Sequence, residues 1–330
     1  MDTGIDILTG IQILQQTPHN TIPATEARHL RRASIALLIA FDVPQDTMQK
    51  NWAYRLESSA VPRVLIIQRA VRIGDRWSGH LALPGGRREP EDESDIMTAY
   101  RETYEEVGID IELEQGFYAG ALDERIITTN WGSKNLMVLC PFVFILPRTP
   151  PIHIQESEVL AAKWVPLSHL VDPANQTFIS ADCSSALAAQ TSRFLQPFFK
   201  LAVGKLQHPG IKIDLYNKIQ PDTPSSNTPV LWGITHTLFV DLFMFFSPDC
   251  AKDCLIWQLP RFQQPDYRLL SLLASFIWYK RHQKHYPQGN WVYKSLRSYY
   301  KYLRACVILG LLFRLCLFSF FIYLVYLARH

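Results

Sequence analysis

The stretch Ser78–Ile111, SGHLALPGGRREPEDESDIMTAYRETYEEVGIDI, decides the fold. Its opening is short and apolar (Leu81, Leu83) and runs through Pro84 into Gly85-Gly86, the pattern of a strand ending in a tight loop, because glycine accepts backbone geometries closed to other residues. A helix is predicted over 93–107. Asp92 or Ser94 caps its start, acids occupy its first turn, and Gly108 follows its last apolar residue. Ile96, Ala99, Tyr100, Thr103 and Val107 recur at helical spacing and form the face that packs inward.

Glu102, Glu105 and Glu106 stand at i, i+3 and i+4 and form another face. Three carboxylates on one turn repel, and each raises the pKa of the others unless a positive charge sits among them. A hard divalent cation meets that need, since magnesium prefers carboxylate and water oxygens and bridges to substrate phosphate. A solvated acidic helix face has the same composition, so these residues alone leave both readings open. Upstream, Arg69 and Arg72 are spaced to clamp an anionic substrate, or belong to a plain basic loop.

The wider pattern favours the metal. Gly85, Gly86, Glu93 and the run Arg101–Ile109, RETYEEVGI, resemble the Nudix box, G-x5-E-x7-R-E-U-x-E-E-x-G-U with U aliphatic. Thr103 takes a place usually aliphatic, and the distance from Gly86 to Arg101 is one residue longer than in the general box. That extra residue, with PGGRREPED over 84–92, is similar to the coenzyme A diphosphatase branch, whose loop commonly reads PGGK-x-D-P-x-D. The branch also carries L-L-T-x-R-S-x-x-L-R-x-H-x-G-E before the box. Arg69, Arg72 and Gly79 match roles in it, while His80 stands where Glu or Gln is usual and reads better as a support for the loop than as a catalytic group. Two further segments are similar to the family: ESEVLAAKWVPL over 156–167, and LWGITHTLFVDL over 231–242, which resembles the W-G-L-T start of the last helix in the branch.

The resemblance implies an α/β/α sandwich with a mixed sheet, and cleavage of a diphosphate by water attack at phosphorus. It implies that Glu102 and Glu106 hold Mg²⁺ or Mn²⁺, with Glu105 as a further ligand or water-orienting base. Arg101 positions these carboxylates, Gly85 and Gly86 let the backbone approach the site closely, and Glu158 is an extra ligand or general base. The branch implies coenzyme A or an acyl derivative as substrate, split to 4'-phosphopantetheine and adenosine 3',5'-bisphosphate. ADP-ribose, a dinucleotide or capped RNA as substrate, or an inactive nucleotide sensor, are the alternatives.

Outside the box, 330 residues with 48% hydrophobic content suffice for one large core, or one core and an appendage. Apolar runs predict strands at Ala33–Val43, Arg63–Gln68, Ile109–Leu122, Leu136–Leu146 and Ile211–Tyr216. A polar insertion holding Lys50, Trp52 and Arg55 separates the first two, and residues 128–134 form a turn. Ile5, Leu8, Ile11 and Leu14 predict an amphipathic helix within Met1–Gln16, with no secretory leader. Phe194, Leu195, Phe198 and Phe199 form an apolar segment, and residues 221–229 a Pro-Ser-Asn-rich loop. The six cysteines show no metal-ligand spacing, which points away from a zinc module or disulfide scaffold and toward reduced thiols in the cytosol.

The net charge of +3 is unevenly spread, since nine Lys or Arg and no acid lie from Lys280 to the end. Ala305–Ala328 is long and apolar enough to cross a hydrocarbon core of about 30 Å. Arg314 opposes insertion by about 2.5–3.5 kcal/mol, but the many Leu, Ile, Phe and Val residues each return about 0.3–0.6 kcal/mol, and the side chain can snorkel. Trp291, Tyr293, Tyr299, Tyr300 and Tyr302 interleave with the basic flank as interfacial aromatics do. The expected organisation is a helical lead-in over 1–29, a Nudix domain over 30–247, a basic aromatic linker over 248–304 and a tail anchor over 305–328 with the catalytic domain in the cytosol. A buried or interfacial C-terminal helix is the competing reading of the tail. The expected partners are a nucleoside diphosphate-type small molecule and membrane lipid. Nucleic acid is not expected, because no RNA or DNA module accompanies the basic residues. Organelle and oligomeric state stay open, and Ala328-Arg329-His330 is not a Ser-Lys-Leu-type address.

Overall fold

The computed structural model describes residues 6–41, 61–75, 77–128, 135–181, 203–216, 228–249, 251, 259–282 and 291–329. The predicted insertion with Lys50, Trp52 and Arg55, the segment Phe194–Phe199, the proline-rich loop up to 227, and Cys183, Cys250 and Cys254 lie outside them. The chain divides into two compact units, residues 1–129, 134–177 and 210–257 in the first, and 130–133, 178–209 and 258–330 in the second.

The first unit opens with helix α1 (Ile7–Gln16) and strand β1 (Arg31–Ala40). Strands β2 (Arg63–Arg69), β3 (Leu81–Ala82) and β4 (Gly85–Arg87) precede helix α2 (Asp95–Val107). Strands β5 (Phe117–Ala121), β6 (Arg125–Thr128), β7 (Asn135–Leu146) and β8 (Val159–Pro166) follow, and helix α3 (Gly233–Phe246) comes near the unit's end. The sheet is mixed. β1 runs parallel to β7 over ten residue pairs, from Arg31 opposite Met137 to Ala40 opposite Leu146, and antiparallel to β2 and β4. Residues alternate between the faces of a strand, yet on β1 both sets are buried: Ala36, Leu38 and Ala40 on one face, Leu37 and Ile39 on the other. A strand covered on both faces is a middle layer, which is why its sequence is a nearly continuous apolar run.

Helix α2 packs on the first of these faces through Ala99 and Val107, with Ile96 and Tyr100 beside them. The Tyr100 ring meets Phe144 of β7 edge-on at 4.9 Å. The helix begins two residues later than predicted, because Ser94 is its cap and accepts from the Met97 N–H, while Gly108 closes it in the left-handed region at φ 70°. Three other expectations are corrected. In α1 the inward face is Ile7, Gly10, Ile11 and Leu14, with Leu8 turned outward, since three-residue spacing drifts off a 3.6-residue helix. Ile109–Leu122 is not one strand: Asp110 Oδ1 accepts from the N–H groups of Glu112 and Leu113, Gln115 takes φ 56°, and only Phe117–Ala121 joins the sheet. The strand predicted at Ile211–Tyr216 lies earlier, over Leu206–Lys212.

In the second unit, helix α4 (Pro265–His282) packs along helix α5 (Trp291–Arg329). The expected 248–304 linker therefore contains one helix and the start of another. Tyr267, Trp278, Tyr299 and Leu303 are buried together with Phe262 and Val307, with Tyr300 and Tyr302 partly buried against them, so of the expected interfacial aromatics Tyr299 belongs to a core instead. The Tyr299 hydroxyl donates to the Pro260 carbonyl at 3.0 Å and is 2.9 Å from Ser275 Oγ. Arg314 is paired within this unit. Its guanidinium meets Asp266 at 2.6 and 2.9 Å, also pairs with Gln264, and lies over the Tyr267 ring.

Candidate active site

Helix α2 carries its carboxylates to the loop between β3 and β4. Gly85 donates its N–H to Glu106 Oε2 at 2.9 Å. This requires the chain to lie against β1, where a Cβ on Gly85 would come within 2.2 Å of the Ser34 carbonyl oxygen, and Gly85 sits at φ +151°. Gly86 has a different task. A Cβ there would lie 2.4 Å from the Glu102 carboxylate, so its hydrogen leaves the space that the carboxylate fills.

Arg101 holds the surroundings of Glu102. Its Nε and Nη2 donate to the two oxygens of Asp92 at 2.9 Å each, and Nη2 also reaches the Arg87 carbonyl at 3.0 Å. Its Nη1 meets Glu102 at 3.1 Å and Glu105 at 2.9 Å. Asp92 also accepts from the Glu89 N–H and the Thr98 hydroxyl, and the Arg101 bonds above all hold its carboxyl well below the usual carboxylate range. The acid that anchors Arg101 is thus Asp92, not Glu93, whose carbonyl accepts from Arg88. Counted this way the box keeps five residues between Gly86 and its acid, and the extra residue falls before Arg101. The last letter of PGGRREPED was the signal that pointed to it.

Glu158 arrives from the loop before β8, more than fifty residues away. Glu102, Glu106 and Glu158 each place one carboxylate oxygen within 4.8 Å of the others. The loop is tied to α2 itself, since the N–H groups of His153 and Gln155 donate to the carbonyls of Val107 and Glu106 at 2.9 and 3.0 Å. These carbonyls belong to the last turn, where no intrahelical donor is available. Arg72 completes the attachment with bonds to the Ser157 carbonyl and to Glu158 Oε1 at 3.0 Å.

Arg101 bonds to Glu102 and Arg72 to Glu158, while Glu106 accepts from the neutral Gly85 N–H. Glu106 is 2% exposed, and burial pushes its pKa up to about 8 against the opposing bond from Gly85, with the Glu102 charge adding to the rise. Burial also raises Glu102, against the pull of Arg101. Three convergent oxygen donors, two of them buried, fit a hard divalent ion. A second group, Asp95, Glu124 and Cys140, differs: Arg32 lies among the three, 2.8 Å from Asp95 and 3.1 Å from the Cys140 sulfur, and supplies the positive charge itself.

The remaining predicted residues fall around this cluster. Glu105 is half exposed and bound to Arg101, and is not among the convergent oxygens. Arg69 pairs with Asp75 at 3.1 Å, and Arg72 with Glu158. His80 packs at a tilt on Trp232 with ring centroids 5.2 Å apart, and burial lowers its pKa, which favours the neutral ring.

The family profile described as NUDIX domain matches residues 55–184. The chain belongs to the Nudix hydrolase family. It is accordingly an enzyme acting on nucleoside diphosphate derivatives. An uncharacterized protein of Schizosaccharomyces pombe is 46% identical over 99% of this chain and 98% of its own length. A mitochondrial coenzyme A diphosphatase of Mus musculus is 41% identical over 16% of this chain, and mitochondrial Nudix hydrolase 15 of Arabidopsis thaliana is 43% identical over 26%. The matched region spans about a quarter of each of these two relatives, 26% of their length.

Proposed function

We propose that this Nudix hydrolase is a membrane-attached, Mg²⁺- or Mn²⁺-dependent diphosphatase that splits coenzyme A or an acyl derivative to 4'-phosphopantetheine and adenosine 3',5'-bisphosphate. The observation that carries the metal dependence is the convergence of Glu102, Glu106 and Glu158 within 4.8 Å beside the Gly85-Gly86 loop. The substrate rests on the PGGRREPED loop and on the 41% identity to a coenzyme A diphosphatase over 54 residues. Attachment rests on α5, whose segment Tyr299–Arg329 has a mean hydropathy of 2.5 in its most apolar window and is mostly exposed. The cytosol is the side assigned to the catalytic domain, because the bases lie before the span.

In this reading Glu102, Glu106 and Glu158 would hold the ion, which would supply positive charge against the diphosphate and lower the pKa of a bound water. Arg101 keeps Glu102 in place and favours its charged form against burial, and Asp92 fixes the fork of Arg101. Glu105 grips Arg101 from the solvent side, so its first task is positional. Arg72 restrains Glu158, and Arg69 lies close enough to Glu106 to favour its charged form.

The test is hydrolysis by the full chain in detergent of a panel holding coenzyme A, acetyl-coenzyme A, ADP-ribose, a dinucleoside tetraphosphate and capped RNA, with Mn²⁺ added. Coenzyme A compounds are expected to be cleaved in preference. Glu106→Gln is expected to lose at least about 100-fold in rate, since even a residue that merely supports a metal ligand costs about 10–100-fold. Preferred cleavage of another member would overturn the substrate assignment, and a Glu106→Gln variant of full activity would overturn the metal site.

A further inference from the structure

Between Leu269 and Trp278, helix α4 is apolar on both sides apart from Ser271 and Ser275. One face, Tyr267, Ala274 and Trp278, is buried against α5 with Ser271 among them. The opposite face, Leu269, Leu272, Leu273, Phe276 and Ile277, is exposed, each residue by roughly half or more. A helix that is apolar on every side belongs inside a protein or against lipid. Its neighbour α5 continues the exposed surface through Ile308, Leu309, Leu312 and Phe313 into the bare segment 315–329.

We propose that lipid contacts the outer face of α4, so that the membrane-bound element is the α4–α5 pair and not the terminal span alone. This rests on the reading of α5 as a span. Three observations select a lipid surface as the occupant. The stripe lies on a helix that packs along α5, whose own residues Ile308, Leu309, Leu312 and Phe313 are likewise exposed and apolar. No acid occurs from Tyr267 to the end of the chain, and the exposed bases Lys280, Arg281, Lys301 and Arg304 suit anionic headgroups. Lys280 lies over the Phe276 ring at 4.7 Å, and Arg281 reaches the Tyr302 hydroxyl at 3.0 Å, so the charged ends follow the apolar stems. At the other end Asp266 is paired with Arg314, over the Tyr267 ring that packs on Gly310, and Arg268 adds one more exposed base. An ion pair facing a helix partner is the form in which charge is tolerated in an apolar surrounding.

The experiment uses the full chain in vesicles of phosphatidylcholine and phosphatidylserine carrying a clickable acyl chain, with the photoreactive residue p-benzoylphenylalanine replacing Leu273, Phe318 or Leu113 in turn. Lipid adducts are expected at 318 and at 273 and none at 113, which lies exposed in the first unit. Adducts at 318 without any at 273 would overturn the α4 proposal and leave the span intact. Lipid adducts at neither position would overturn both. Adducts at 273 to a second protein molecule in place of lipid would assign the stripe to self-association and equally overturn the proposal.

Discussion

Two arginines in this protein grip an aspartate with the same two-pronged geometry and live in opposite surroundings. Arg101 holds Asp92 at 2.9 and 2.9 Å and still has donors left for Glu102, Glu105 and a carbonyl. Arg314 holds Asp266 at 2.6 and 2.9 Å and meets the neutral Gln264 amide oxygen, on a helix rich in leucine and phenylalanine. Around Arg101 the acids outnumber the bases, and the leftover negative charge is what a cation and a diphosphate can use. Around Arg314 the charges cancel, and what remains is an apolar helix pair. The bonds are alike, and the count of neighbouring charges decides whether an arginine builds a site or silences itself.

The largest break in that comparison is removal of each arginine. Arg101→Leu is expected to lower kcat/KM about 100-fold, as removal of a residue supporting metal ligands does. Arg314→Leu, assayed in detergent beside it, is expected to leave hydrolysis unchanged. Equal losses in both variants would show that the two units do not divide their work in this way.

A smaller effect separates the two glycines. Gly86→Ala places a methyl group on the Glu102 carboxylate, the movable end of a side chain, so a normal melting temperature with a loss of activity of about tenfold is expected. Gly85→Ala meets the Ser34 carbonyl in the left-handed region and should lower the melting temperature instead. A Gly86→Ala enzyme with full activity would count against Glu102 as a ligand.

The gentlest probe is pH. Because the folded-state pKa of Glu106 is raised from 4.5 to about 8, this group stabilises the metal-free fold below its unfolded value, and that contribution is lost as pH rises through about 8. Metal-free protein should therefore melt lower at alkaline than at mildly acidic pH, and the gain from Mn²⁺ should grow across the same interval. A gain independent of pH would argue that Glu106 does not meet the ion.

What could be read from the chain divides by the same logic. Helix α2, its glutamates and its Gly108 stop are local patterns, and local patterns survive translation into a fold. Strands β1, β2 and β7 announced themselves as apolar runs because both their faces are covered. Choosing Asp92 over Glu93 needed the course of the loop, since neighbouring acids differ only in which one turns inward. The hairpin of α4 and α5 was hidden for a related reason. Arg314 and Asp266 are 48 positions apart, and the buried and exposed faces of α4 have the same apolar composition. Periodicity has nothing to report where both sides of a helix are greasy.

The bonds from His153 and Gln155 to the last carbonyls of α2 have a consequence for the order of events. A glutamate on a free loop would have to be immobilised anew at every encounter with an ion, at a cost in chain entropy of about 1–2 kcal/mol for each residue fixed. Here the folding of the chain has already done so, and Glu158 is stapled to the same rod as Glu102 and Glu106. The three oxygens therefore stand as a preformed cup, and on the proposed function an ion would enter it with no closing motion to wait for.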